Sequence, residues 1–108
     1  MDYEEMKKGH YHLVIVREKL DFFNISEFKK IFLEEIIPVH QRVAIMLAGN
    51  NEEISSSVIS MLIIAHKKLA ALNGSLVLVN ISETHRNLIA MAGLAAFFNV
   101  IDSENDLN

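Results

Sequence analysis

Residues 42–80 read RVAIMLAGNNEEISSSVISMLIIAHKKLAALNGSLVLVN, and their pattern decides the fold. The two ends, Arg42 to Ala48 and Ser75 to Asn80, are short and almost continuously apolar, as strands buried on both faces are. Between them, Gly49 to Glu53 is polar and turn-forming, which predicts a surface loop. Ser55 to Leu72 then carries the longest helical pattern, opened by three serines and closed by Asn73-Gly74, where Gly74 is expected to supply a left-handed cap. Two strands joined through a helix pair in parallel, with a right-handed crossover.

The same alternation continues outward. Tyr11 to Arg17 (YHLVIVR) is rich in β-branched and aromatic residues and predicts a strand. Leu20 to Asn24 is a short connection. Ile25 to Ile37 has apolar residues at Ile25, Phe28, Ile31, Phe32 and Ile36, the period of an amphipathic helix. Asn24 and Ser26 are its candidate caps, and Pro38 is expected to end it. On the other side, Ser82 begins a helix that runs to about Ala92 and closes at Gly93. Phe97 to Ile101 reads as a last strand, and Ser103 to Asn108 as the first turn of a helix that stops early. The predicted order is β-α-β-α-β-α-β. It describes one α/β domain over 11–108, with a small, mostly parallel, mixed sheet of four to five strands, preceded by an N-terminal extension over 1–10.

Composition narrows the function. The 108 residues are 51% hydrophobic and 22% charged, enough apolar side chain for a real core and too little charge for a disordered chain. Cysteine is absent, which excludes disulfides, thiol chemistry and cysteine-based zinc sites and fits a cytoplasmic protein. A net charge of −4 argues against direct nucleic-acid binding, since phosphate affinity is built from clustered Lys and Arg. No apolar run is long enough to cross a bilayer, and no apolar h-region follows Met1 to Lys8, so neither membrane insertion nor a secretory signal is expected.

In open α/β sheets, ligands and partners meet the loops at the carboxyl ends of the strands. Those loops are Leu20–Asn24, Gly49–Ser56 and Ile81–Glu83, and they carry Asp21, Glu52, Glu53, Ser55, Ser56, Ser57 and Ser82. One of the three consecutive serines is a helix cap; the other two are left for another role. A helix N-terminus accommodates a phosphate, so a phosphoserine here would add nearly two negative charges without breaking the helix. The following helix is apolar beyond one stripe: Val58, Ile59, Met61, Leu62, Ile63, Ile64 and Ala65 are interrupted only by Ser60. Such a helix is either clamped between the sheet and its neighbours or leaves apolar surface for a partner, with Ser60, Ile64 and Lys67 on one outward line. Asp21 serves either a partner surface or the cap of the next helix.

Catalysis finds little support. His85 is the only plausible general base at this edge, no Gly-x-Ser-x-Gly elbow surrounds Ser56, and the four glycines, at 9, 49, 74 and 93, stand alone. His10 with His12, and Glu52 with Glu53, supply no set of three or four convergent ligands, so no metal or cofactor is expected.

The order of elements, Leu20-Asp21 after the first strand and the serine-rich turn opening a helix resemble the STAS domain of bacterial anti-sigma factor antagonists. The likeness runs from about Tyr11 to Asp102 and is strongest over Asn73 to Ser82 and Arg86 to Leu94, where the family shows a Gly-Gly, a strand, a turn and a helix ending in Gly-Leu. The resemblance implies a non-enzymatic protein that binds an anti-sigma Ser/Thr kinase, frees a sigma factor and is switched off when that kinase phosphorylates a serine. Ser56 matches the phosphorylated position, with Ser55 and Ser57 as alternates; Ser55 stands where the family has an Asp, and Val58 where a glycine is usual. Asp21, Ser55, Ser56, Ser57, Ile59, Ser60, Ile64 and Ser82 are the implied partner-binding residues. The partner set also leaves room for a phosphatase, and oligomeric state is open, a homodimer through the apolar helix being one alternative. The alternative is a non-catalytic STAS scaffold or subunit, of a stress-signalling assembly or a transporter complex, with no working phospho-switch.

Overall fold

The computed structural model describes residues 1–48, 56–91, 93, 94, 96 and 98–108. Five strands form one sheet in the order β1 (Tyr3–Lys8), β2 (Tyr11–Val16), β3 (Arg42–Leu47), β4 (Ser75–Val79), β5 (Asn99–Ile101). β1 pairs antiparallel to β2, and the remaining neighbours are parallel, so the mixed sheet expected from the sequence is present. Both faces of the central strands are buried. Val14, Val16, Val43, Ile45, Leu76 and Leu78 face the larger core; Leu13, Ile15, Ala44, Val77 and Val79 form a second cluster on the opposite side.

Residues 1–10, read from sequence as an extension, instead contain the edge strand. Lys8 and Tyr11 close a two-residue turn in which Gly9 has φ 61°. Glu4, Glu5, Lys7 and Lys8 give β1 none of the apolar alternation that marks a strand. Backbone pairing to β2 holds it, together with the Arg17–Glu4 ion pair and Tyr3, which sets its ring edge-on against Phe28 at 5.9 Å. Charged residues suit an edge strand because they discourage pairing with another chain.

The helix after β2 does not stop before Pro38. α1 (Ile25–Lys30) widens into a π-helical segment over Ile31–Ile36 and tightens into a 3-10 turn, Ile37–Val39, that contains the proline. Pro38 has no N–H to donate, and changes of hydrogen-bonding register are how a helix accommodates one. Phe28, Phe32, Ile36 and Ile37 remain buried throughout.

α2 (Ser56–Ala71) ends in a Schellman motif: Gly74 N–H donates to Leu69 O and Asn73 N–H to Ala70 O. The left-handed residue is Asn73, at φ 58°, and not Gly74 as the sequence suggested. Gly74 is required for a different reason, since a Cβ there would lie 2.1 Å from the Gln41 carbonyl oxygen. α3 (Glu83–Met91) closes as expected, with Gly93 at φ 74°. Ser103 caps a single 3-10 turn, Glu104–Asp106, through a bond from Asn105 N–H.

Candidate functional site

Parallel pairing sends the connections β2–α1, β3–α2 and β4–α3 out of the same edge of the sheet. The first is a turn closed by side-chain hydrogen bonds. Asp21 Oδ1 accepts the N–H groups of Phe23 (2.8 Å) and Asn24 (3.1 Å), and Asp21 O accepts the N–H of Ile25. Asp21 thus caps the turn that leads into α1, one of the two roles the sequence offered for it, and Asn24, which precedes α1, makes no side-chain cap bond to the helix. Asn24 folds back instead: its Oδ1 accepts from Asp21 N–H, and its Nδ2 donates to Lys19 O and Glu18 Oε2.

This turn holds two side chains in water. Phe22 is 88% exposed and Phe23 90%, with their rings edge-on at 5.8 Å. Sequence reasoning passed over them as part of a connection. The available signal was a pair of adjacent aromatics lying outside the helical period that begins at Ile25. Exposed apolar residues of this size on a fixed turn mark an interaction surface.

Ser56 and Ser57 are exposed in the first turn of α2, where the helix dipole favours negative charge. Ser55 and the predicted loop, Gly49 to Glu53, lie outside the described residues, as do Ile54, Ala92, Ala95 and Phe97. Along α2, Val58, Met61, Leu62, Ala65 and Leu69 are buried, so that face belongs to the monomer's own core. Ser60 and Lys67 are exposed, and Ile59 and Ile64 half-buried, leaving a narrow outward line. The helix is thus both clamped and partly presented.

Ser82 is committed locally. Its Oγ accepts the His85 N–H at 3.2 Å, the N-cap bond that opens α3, and the same hydroxyl is hydrogen-bonded to His85 Nδ1. Only 4% of His85 is exposed, and burial pushes its pKa below the ordinary histidine value. Among the described residues no carboxylate hydrogen-bonds to His85, so no Ser-His-Asp triad forms around it. The depressed pKa makes stability depend on pH. The unfolded chain takes up a proton at His85 near pH 6.5 while the native state resists it, so stability is complete above that pH and declines as pH falls toward the native pKa. Urea unfolding at pH 7.5 and 5.5 should show a larger loss for the wild type than for His85→Gln, whose amide still reaches toward Ser82; equal losses would dissociate His85 from the effect.

A family model, STAS domain, matches residues 5–107. The chain belongs to the STAS domain family. Among solved structures it is similar to a Thermotoga maritima protein assigned as an anti-sigma factor antagonist, with TM-score 0.83, 17% identity and coverage of 94% of this chain and 86% of that one. It is similar also to the anti-sigma factor antagonist SpoIIAA in its unphosphorylated form, with TM-score 0.73, 15% identity and coverage of 95% and 90%. The phosphorylated form of the Bacillus cell fate determinant SpoIIAA gives TM-score 0.70, 16% identity and coverage of 95% and 94%. At these identities the likeness is one of fold. No curated protein matches the sequence. Among the described residues, no helix is long and apolar enough to cross a membrane.

Proposed function

We propose that this chain is a bacterial, cytoplasmic anti-sigma factor antagonist: a non-enzymatic protein that binds an anti-sigma Ser/Thr kinase and is released when that kinase phosphorylates Ser56. Sigma-factor-dependent transcription is the process it regulates. The observation that carries this reading is the exposed Phe22–Phe23 pair, on a hydrogen-bonded turn at the same sheet edge as the exposed Ser56 and Ser57. Asp21 fixes the aromatic turn, while Ile59, Ser60 and Ile64 extend the contact surface along α2. Ser55 and Ser57 are the alternate acceptors, and Ser82 shapes the third loop of the edge. A phosphatase that restores the serine completes the cycle.

The reading is tested by incubating the purified protein with ATP and each Ser-kinase-type anti-sigma factor of its own organism, then mapping phosphate by mass spectrometry. Phosphate on Ser56 or a flanking serine is the expected result. A stable complex without phosphate would indicate a constitutive antagonist. Neither phosphate nor complex would favour a STAS scaffold or transporter subunit, a reading to which Val58 lends weight, being a buried side chain where the family usually has glycine. Phe22→Ala and Phe23→Ala should each weaken the complex about tenfold, the loss typical of a central aromatic contact, with an unchanged melting temperature. Calorimetry that finds wild-type affinity in both variants would remove the turn from the interface.

A further inference from the structure

At the amino ends of the parallel strands, opposite the edge described above, three side chains from separate segments meet. Glu5 lies on β1, His12 on β2, and His40 between the 3-10 turn and β3. One donor atom from each lies within 4.8 Å of the others. His12 Nε2 stands 2.7 Å from Glu5 Oε1, and the His12 and His40 rings stack at a centroid separation of 3.6 Å and an angle of 9°. Both histidines are half-buried and Glu5 is exposed, so the group is walled on the protein side and open to water on the other.

We propose that Glu5, His12 and His40 bind a zinc-class divalent metal ion. Two imidazoles and one carboxylate are the donor set of zinc sites that keep a position open, and nitrogen-rich sets select late first-row metals over magnesium or calcium. Donors bound tetrahedrally to one zinc stand about 3.3 Å apart. From their present separation of up to 4.8 Å, closing on one ion asks the stacked His12 and His40 rings to turn. The hydrogen bond between His12 and Glu5 marks the line along which a metal replaces a proton. Lys7 and Arg42 line the same concavity, and their charge favours an anion in the open position; His10 lines it too and offers a further imidazole. A bound ion would clamp the edge strand β1 to the start of β3, two segments that are not neighbours in the sheet.

The site is legible only in three dimensions, because residues 5, 12 and 40 form no spaced motif. It is also independent of the kinase reading, since its test uses no partner. Tag-free protein is titrated with zinc chloride by calorimetry, with cobalt(II) by visible absorption, and with zinc while the histidine ring protons are followed by NMR. The expected result is one equivalent bound, a tetrahedral or five-coordinate cobalt spectrum, and shifts of the His12 and His40 ring signals with those of His66 and His85 unmoved. His12→Gln and His40→Gln should each lose about tenfold or more in affinity. Glu5→Gln, which keeps the side chain's shape, should lose affinity as well. Circular dichroism checks that each variant is folded, and the wild-type NMR result stands even where a variant is not. Absence of uptake at micromolar zinc, or uptake that leaves the His12 and His40 signals in place, would overturn the proposal.

Discussion

Ser56→Glu should reduce affinity for the proposed partner, an anti-sigma kinase, by about a hundredfold or more while leaving the domain folded. Both halves of this expectation follow from position. Ser56 is exposed at the first residue of α2, where a carboxylate meets the positive end of the helix dipole, an effect worth about 0.3–1 kcal/mol in favour of the fold. At the proposed interface, on the edge that also carries Phe22 and Phe23, the same charge must give up its water. Desolvating an unpaired charge there costs several kcal/mol, and about 2.7 kcal/mol already corresponds to a hundredfold. Glutamate carries one charge where phosphoserine carries nearly two, so the substitution sets a lower bound on the switch. Calorimetric titration of the kinase, with a thermal melt of each protein, separates the two halves. A negligible change in affinity would sink the charge-switch mechanism, and Ser56→Ala should abolish phosphate uptake with binding retained.

Gly74→Ala should cost about 3 kcal/mol of stability, the upper end of ordinary overpacking, and lower the melting temperature by roughly 10–20 °C. The added Cβ would stand 2.1 Å from Gln41 O and 3.0 Å from Gln41 C, both backbone atoms that no rotamer change can move aside. Gln41 O accepts the N–H of Ser75 at 3.0 Å, and Gln41 Nε2 reaches Leu72 O at 3.2 Å. Displacing that carbonyl disturbs the first rung between β3 and β4, next to the Arg42–Ser75 pair. Asn73→Gly is the informative contrast. Asn73 occupies the left-handed region, which glycine enters without penalty, so that variant should be neutral or slightly stabilising. Denaturant melts showing Gly74→Ala close to wild type would mean that the α2–β4 corner yields easily.

The two residues of the Asn73-Gly74 corner show where sequence reading reaches its limit. The stop signal was legible, because Asn-Gly after a helical period closes a helix. Which residue turns left-handed was not, since that depends on how closely the corner passes the Gln41 backbone. The same division runs through the candidate site. Asp21, Ser56 and Ser82 could be placed on one edge as soon as the crossovers were read as parallel. Phe22 and Phe23 could not be read as exposed, because aromatics are usually core and only the Asp21–Asn24 bonds aim this turn outward. β1 was missed because its stabilisation is backbone pairing with β2, which leaves no apolar pattern in Glu4 to Lys8.

By itself the sequence determined the α/β class, the parallel pairing of the strands joined through helices, the edge where the loops gather and the family resemblance. Each of these rests on local periodicity and chain connectivity, which any stretch of 5 to 15 residues carries within itself. The tertiary structure alone decided the edge strand, the role of Gly74, the aromatic pair and the meeting of Glu5, His12 and His40. All four depend on contacts between segments distant in the chain, and the distance that matters there is through space, which no spacing along the sequence encodes.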